Sequence, residues 1–489
     1  MQVNALSLKK YLSQKLKENY LLLFGALIIG QEFVYLKLAT LEAINGWKSV
    51  TTFWIELTAA FVMYFLGYLI IKTRKTEKIT LLLIIMSAIL FRITLVPAGL
   101  PNDSTLQEKK DLLYADIAGQ ETTFERFQLF DSDVWRYLWD GHVLDKGINP
   151  YVYAPNDPHL DSLTELATDV HYQWDDIRDN VNYPHVPTIY PPLSQWFFGL
   201  SYQIAPGSVA IVKLLLILCE CIGIFFFILT LRKLHLPPYL ILLYAWNPLI
   251  IKTIAGSAHM DALLVCFFGI LSYGVVSKKK WIIITSWAAA ILIKLIPILL
   301  LPFLFKRIKW YGITLAIAIV IAGYLPFSDA GMKLFTGLST FSEEWQFNAG
   351  PFQVVDYLIT LFLQTDTFAV ASISTKLLTM VVIGILFFKD DGSPTYFFKA
   401  ATLSFGIFLV LSPTVMPWYI SWILPFAVIS RQNYCFIFSF LLLSAFHIMI
   451  YQVELNWVLA IEFGIFFLVI LLGSRQVLVY SFENEELIK

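Results

Sequence analysis

Asp131 and Asp133 are the residues of this 489-residue chain best placed for acid–base chemistry. They lie in the stretch FDSDVWRYLWDGHVLDKGINPY, residues 130–151. A carboxylate held near apolar surface binds its proton more tightly, which suits a general base; a nearby cation pulls the other way. Asp133, Arg136, Tyr137 and Asp140 fall at i, i+3, i+4 and i+7, so on a helix they share one face. Asp131 or Ser132 would cap that helix, and Gly147 with Asn149-Pro150 would end it. Arg136 suits a clamp on a phosphate or, equally, an ion pair with Asp133 or Asp140 one turn away. Trp135, Trp139, Tyr151 and Tyr153 suit stacking on a sugar or anchoring at a membrane interface. Spacing alone favours a solvated helix start over catalysis.

Further chemistry-bearing groups sit in apolar surroundings. Tyr190, in YPPL, closes the polar segment that the acid pair opens. His259 and Asp261 follow Asn247-Pro248 and Gly256 at the start of an apolar run, where ionisable residues face a bundle interior or a cavity. They could hydrogen-bond a substrate hydroxyl or hold a turn; their spacing alone is too thin for a metal site. Lys294 lies inside ILIKLIPILLLPF, where an unpaired lysine costs a few kcal/mol. It requires an anionic partner, either a lipid phosphate or a protein carboxylate. Trp418, Tyr419 and Trp422, after Ser412-Pro413 and Met416-Pro417, form a proline-broken aromatic turn that could line a groove or seal helix ends.

The elements that must position these groups are membrane helices. Hydrophobic residues make up 58% of the chain and charged ones 15%, with a mean hydropathy of +0.68. A soluble core does not need so much apolar material. The net charge of −1 hides an asymmetry: residues 98–189 carry 17 Asp/Glu against 6 Lys/Arg. That excludes a nucleic-acid surface and points to a non-cytoplasmic segment. The four cysteines all lie in apolar runs and read as buried small hydrophobes. Apolar runs near 19–40, 51–71 and 79–98, with a basic, uncleaved start inside, deliver residues 99–189 to the outer side.

Basic clusters at Arg232-Lys233, Lys278–Lys280, Lys306–Lys309 and Lys389 belong inside. Residues 190–206 then dip in from the outer face without crossing, and 351–365 form a similar short segment. Residues 281–305 are either one tilted crossing or a broken hairpin turning near Lys294 and Pro297, since irregular backbone is tolerated where it lines a polar cavity. Further runs are 208–231, 238–254, 259–276, 310–326, 367–388, 395–412, 418–430, 434–451 and 456–473. The expectation is a single all-α polytopic membrane domain with roughly twelve crossings plus half-inserted helices. Its parts are three amino-terminal helices (1–98), a large acidic outer loop (99–189), a transmembrane core (190–473) and a cytoplasmic tail (474–489).

The runs FDSDVWRYLWDGHVLDKGINPYVYAP and TIYPPLSQWFF resemble the first outer loop of the GT-C superfamily of polyprenyl-phosphate-sugar-dependent glycosyltransferases, in its bacterial mannosyltransferase-like branch. The layout is also similar to that of the glycosylphosphatidylinositol mannosyltransferase I family. The stretches NPLIIKTIAGSAHMDALL and LSPTVMPWYISWILPF resemble the bacterial branch in the same order. The likeness covers roughly residues 125–425. It implies a GT-C-like fold and an inverting displacement. Asp131 or Asp133 would be the base that deprotonates the acceptor hydroxyl, with Arg136 and Lys294 stabilising the departing phosphate. It implies mannose as the sugar, a lipid-linked donor, a glycan or lipid acceptor and a periplasmic site in a bacterial inner membrane. No cofactor or metal is expected, because a lipid monophosphate has no diphosphate to bridge. Three crossings before the acidic loop, where the common core has one, make two helices an addition.

Two other classes compete. A glycan polymerase or ligase would lean on loop arginines and a histidine, and this loop has only Arg126, Arg136 and Arg178. A transporter or flippase of a lipid-linked solute would show matching halves, whereas the large loop has no counterpart.

Overall fold

The structure, a computed structural model, describes residues 19–41, 46–72, 78–98, 131, 133–165, 173–363, 366–451 and 453–485. The basic start, Ser132 and residues 99–130 and 166–172 of the acidic loop lie outside the described residues. Among the described residues the chain is helical without a strand, apart from one isolated bridge between Phe347 and Thr414. This is the expected form for an apolar chain, since a helix satisfies its own backbone polar groups.

Three helices come first: α1 (Tyr20–Ala39), α2 (Gly46–Ile71) and α3 (Lys78–Thr94). The acidic segment contributes α4 (Asp133–Asp145), and α5 (Pro192–Ile204) follows it. With 13 residues, α5 rises about 20 Å, too short to span the ~30 Å hydrocarbon core. The centre holds α6 (Val209–Lys233), α7 (Asp261–Val276), α8 (Lys280–Ile291) and α9 (Leu301–Tyr324). The carboxy-terminal part includes α10 (Thr367–Phe388), α11 (Pro394–Val410) and α12 (Asn456–Glu485).

Among the described residues, six helices are long and apolar enough to cross a membrane, and a bent pair, Pro238–Ala245 with Pro248–Gly256, would make seven. Five shorter apolar helices, α7, α8 and α11 among them, have 10–17 residues. The roughly twelve crossings expected from hydropathy thus resolve into six or seven full-length candidates and a set of shorter helices. Proline breaks account for only part of the difference, at 238–256 and after Ile291; α3, α7 and α11 are unbroken helices of 17, 16 and 17 residues, just short of full-span length. The segment 238–254 bends by 56° at Asn247-Pro248. The segment 281–305 breaks after Ile291, so α8 packs back against α9, and the Trp287 indole donates to the Pro297 carbonyl across the break at 2.8 Å. A second kink falls at Lys309, with φ 61°.

Buried polar contacts tie the amino-terminal helices to the centre. Arg92 on α3 forms a bidentate pair with Glu220 on α6 (2.6 and 2.7 Å) and donates to the Ala245 carbonyl at 2.8 Å. Both charged side chains are fully buried. Such a pair is tolerable only with its remaining donors and acceptors filled. Tyr244 fills one more by donating to Glu220 at 3.0 Å.

Candidate active site

Residues on both sides of α4 fix its position. The Asp131 carboxylate accepts the Asp133 amide N–H at 2.8 Å, which supplies the cap, and the Asp131 amide donates to Ser257 Oγ at 3.3 Å. At the other end Gly147 takes φ +73°, while its N–H and that of Ile148 return to Leu144 and Val143 (3.0 and 3.2 Å). This left-handed closing turn is the one glycine favours. Between them, Gly141 brings α4 onto α5 so closely that a Cβ there would meet the Phe198 carbonyl oxygen at 2.5 Å. The Arg136 guanidinium donates to Asp140 (2.9 Å) and to the Val186 carbonyl (3.0 Å). Gln195 of α5 donates to the other Asp140 oxygen at 3.2 Å and to Thr188 at 2.8 Å. Arg136 and Asp140 therefore lock the helix to the segment around 186–195. These bonds engage Nε and one terminal nitrogen of the guanidinium, two of its five N–H donors.

His259 is brought to the acid pair by an unusual stretch of backbone. Residues Lys252–Gly256 form a π-helical turn, and Ala258 adopts φ +59°. Both features are costly for ordinary residues and concentrate at functional sites. They direct the imidazole between the carboxylates: Nδ1 is 3.7 Å from Asp133 Oδ2 and Nε2 is 4.0 Å from Asp131 Oδ1. The ring is 1% exposed and stacks on Trp418 at 3.7 Å between centroids.

Next to this cluster, Asp261 opens α7, where the helix dipole favours an anion. One Asp261 oxygen accepts Lys294 Nζ at 3.0 Å and also the Trp422 indole N–H. Lys294 sits in the break after α8, its ammonium 4.7 Å from the Tyr419 ring and 4.8 Å from Trp422. Of the two anionic partners weighed for this lysine, the fold supplies the protein carboxylate, and 23% of the Lys294 side chain is left exposed. Tyr137 stacks on Phe198 (4.7 Å) and meets Tyr190 edge-on (5.3 Å), and its hydroxyl accepts the Met260 amide at 3.5 Å. The acid pair and most of the other sequence-derived candidates therefore fall in one connected region, whereas Tyr153 stacks on His159 and Trp139 packs by His142 and Arg178, away from it. Asp131, Asp133, His259, Asp261, Lys294, Trp418 and Tyr419 form its centre; Arg136, Asp140, Tyr137 and Tyr190 form its support.

Electrostatics separate the roles. Burial raises Asp133 well above the usual carboxylate range, the neighbouring Asp131 charge adds to this, and Lys294 opposes it. Burial pushes the His259 imidazole well below its usual range, with Lys252 and Lys294 reinforcing the effect. The imidazole is thus held neutral beside a proton-hungry carboxylate.

Sequence reasoning missed three contributors. Lys252, 1% exposed, donates to Ser257 Oγ at 3.2 Å, lies 4.0 Å from the Phe446 ring and interacts electrostatically with Asp131. Ser257 thereby joins Lys252 to the Asp131 backbone. Asn182 hydrogen-bonds Asp133, and the adjacent Tyr183 packs on Trp345 at 4.2 Å. A lysine inside NPLIIKTIAG was the available signal for the first; nothing local distinguishes Asn182 from other loop residues.

No curated protein matches this chain. Residues 127–308 match the family model described as MptA_B family, alpha-(1->6)-mannopyranosyltransferase, N-terminal domain. That stretch contains both acids of the pair, His259, Asp261 and Lys294, and its similarity supports a mannosyltransferase.

Proposed function

We propose that this protein is an inverting glycosyltransferase that moves mannose from a polyprenyl-phosphate donor to a glycan or lipid acceptor at the outer face of a bacterial inner membrane. The observation that carries the reading is the acid pair set against a buried imidazole and beside Lys294, within the stretch similar to a mannosyltransferase domain. A base for a sugar hydroxyl needs a carboxylate of raised proton affinity, and Asp133 has that environment. The acceptor oxygen loses its proton to Asp133, attacks the sugar C1 from the face opposite the phosphate, and the C1–O bond to the polyprenyl phosphate breaks. The electron pair leaves with the phosphate, whose charge Lys294 offsets. Asp131 holds the start of α4 and keeps Asp133 aimed. Trp418, stacked on His259, and Tyr419, beside Lys294, flank the reacting centre and help to exclude water from it. Anchoring the donor by its lipid reduces the positioning problem to one sugar and one hydroxyl.

The test is transfer from radiolabelled polyprenyl-phosphate mannose in membranes carrying wild type, Asp131→Asn or Asp133→Asn. Loss of transfer in Asp133→Asn with normal expression supports the assignment. Full turnover by that variant moves the base elsewhere, and absence of transfer from every lipid-linked sugar tried with folded wild type overturns the reading.

A further inference from the structure

We infer that Asp131, Asp133 and His259 form a binding site for one divalent transition-metal cation of the Mn2+ class. One ligand atom from each residue can be chosen so that all three lie within 4.8 Å of one another. The independent observation is His259 itself. Both its ring nitrogens are buried and neither has a hydrogen-bond partner. Buried polar atoms are almost always paired, so an orphaned imidazole requires an explanation. Rotation toward another partner is blocked by the stack on Trp418.

The spacing suits an ion. Two ligands about 2.1 Å from a shared metal lie ~3.0–3.6 Å apart at the usual angles. The 3.7 Å separation runs from Nδ1 to Asp133 and the 4.0 Å separation from Nε2 to Asp131; for one coordinating nitrogen the three ligand atoms lie within 4.8 Å of one another, so they draw together by up to about 1 Å around an ion. The set is held in place from behind: Asp131 by the Asp133 amide and Ser257, Asp133 by Asn182, and His259 by Trp418. Such outer contacts are what tune a metal site. Two carboxylates favour hard cations, and one imidazole shifts preference toward Mn2+ or Zn2+ over Ca2+. Three protein ligands leave positions open for oxygen ligands. A carboxylate has two oxygens, so Asp133 can ligate through one and keep the other for a proton. A metal here would run against the expectation that a monophosphate donor needs none. Only the identity of the oxygen that fills the open positions rests on the proposed function.

The experiment titrates Mn2+ into full-length, EDTA-stripped protein in detergent micelles and follows the free-ion electron paramagnetic resonance signal. Wild type and Lys278→Ala should each take up one equivalent, and His259→Ala and Asp133→Asn should bind at least tenfold more weakly. Spin-echo modulation of bound Mn2+ should show a directly coordinated imidazole nitrogen, a measurement that needs wild type alone if the variants do not fold. No saturable uptake, equal affinity in wild type and His259→Ala, or bound Mn2+ without nitrogen coupling overturns the site. None of these readouts uses sugar transfer, so failure of the mannosyltransferase reading is scored separately.

Discussion

Replacing Lys294 by Met separates two roles that a single substitution would confuse. In the wild type the Lys294 ammonium lies 3.0 Å from an Asp261 oxygen, and Asp261 is 2% exposed. Lys294→Met leaves that carboxylate with the Trp422 indole as its remaining donor. Stranding one member of a fully buried pair costs about 3–5 kcal/mol; partial exposure of Lys294 reduces this to about 2–3 kcal/mol. Adding Asp261→Asn removes the stranded charge and keeps an acceptor for Trp422. The double variant should therefore regain most of the lost stability, read as the thermal unfolding midpoint of purified protein by tryptophan fluorescence. Transfer behaves differently if Lys294 offsets charge on the departing phosphate. Loss of such a group costs roughly 10²-fold or more in turnover, and Asp261→Asn does not restore it. A double variant that recovers both stability and transfer to within a few-fold of wild type would refute the phosphate role and leave Lys294 as a structural partner of Asp261.

Other perturbations test the remaining elements. Asp131→Ala should lower stability by about 0.5–2 kcal/mol through loss of the α4 cap, while Asp131→Asn, which retains the cap, should not; urea unfolding midpoints distinguish them. Gly141→Ala places a Cβ 2.5 Å from the Phe198 oxygen and should destabilise by about 1–3 kcal/mol while displacing α4, so that transfer falls with stability. Trp418→Phe should preserve the stack on His259 and most activity, whereas Trp418→Ala should lose at least tenfold in transfer; equal rates for the two would show that the stack does not order the imidazole. A cysteine replacing Glu165 should react with an impermeant maleimide in intact cells, and protection there would reverse the proposed orientation.

The chemistry was more legible in the sequence than the helix count. Asp131, Asp133, His259, Asp261 and Lys294 stand out because ionisable residues near apolar runs are costly and must be used or paired. The structure gathers them into one region. The Arg136–Asp140 pair was one of the alternatives that one-turn spacing offers, but the distant partners were not legible: Lys294 meets Asp261 across 33 positions, and Arg136 also meets a carbonyl 50 positions away. Lys252 was hidden because NPLIIKTIAG reads as one apolar run, and a π-helical turn follows no period that a 3.6-residue search detects. The Pro248 and Pro297 breaks were visible as prolines. Whether a break bends a crossing or ends it depends on the opposing helix, here α9 packing against α8.

The packing of Tyr183 on Trp345, and of His259 on Trp418, has a consequence for how such a protein can diversify. The ionisable groups all come from the stretch 127–308, whereas Trp345, Trp418 and Trp422 come from beyond it. Charge and enclosure are thus encoded in separate parts of the chain. Changes in the later part can reshape the aromatic surroundings of the site without altering the carboxylates that set its reactivity. Selectivity for a partner and the chemistry performed on it become separable traits, the second held constant while the first is retuned. A fragment ending at residue 308 would carry the reactive groups yet leave the imidazole without its stacking partner and open to water.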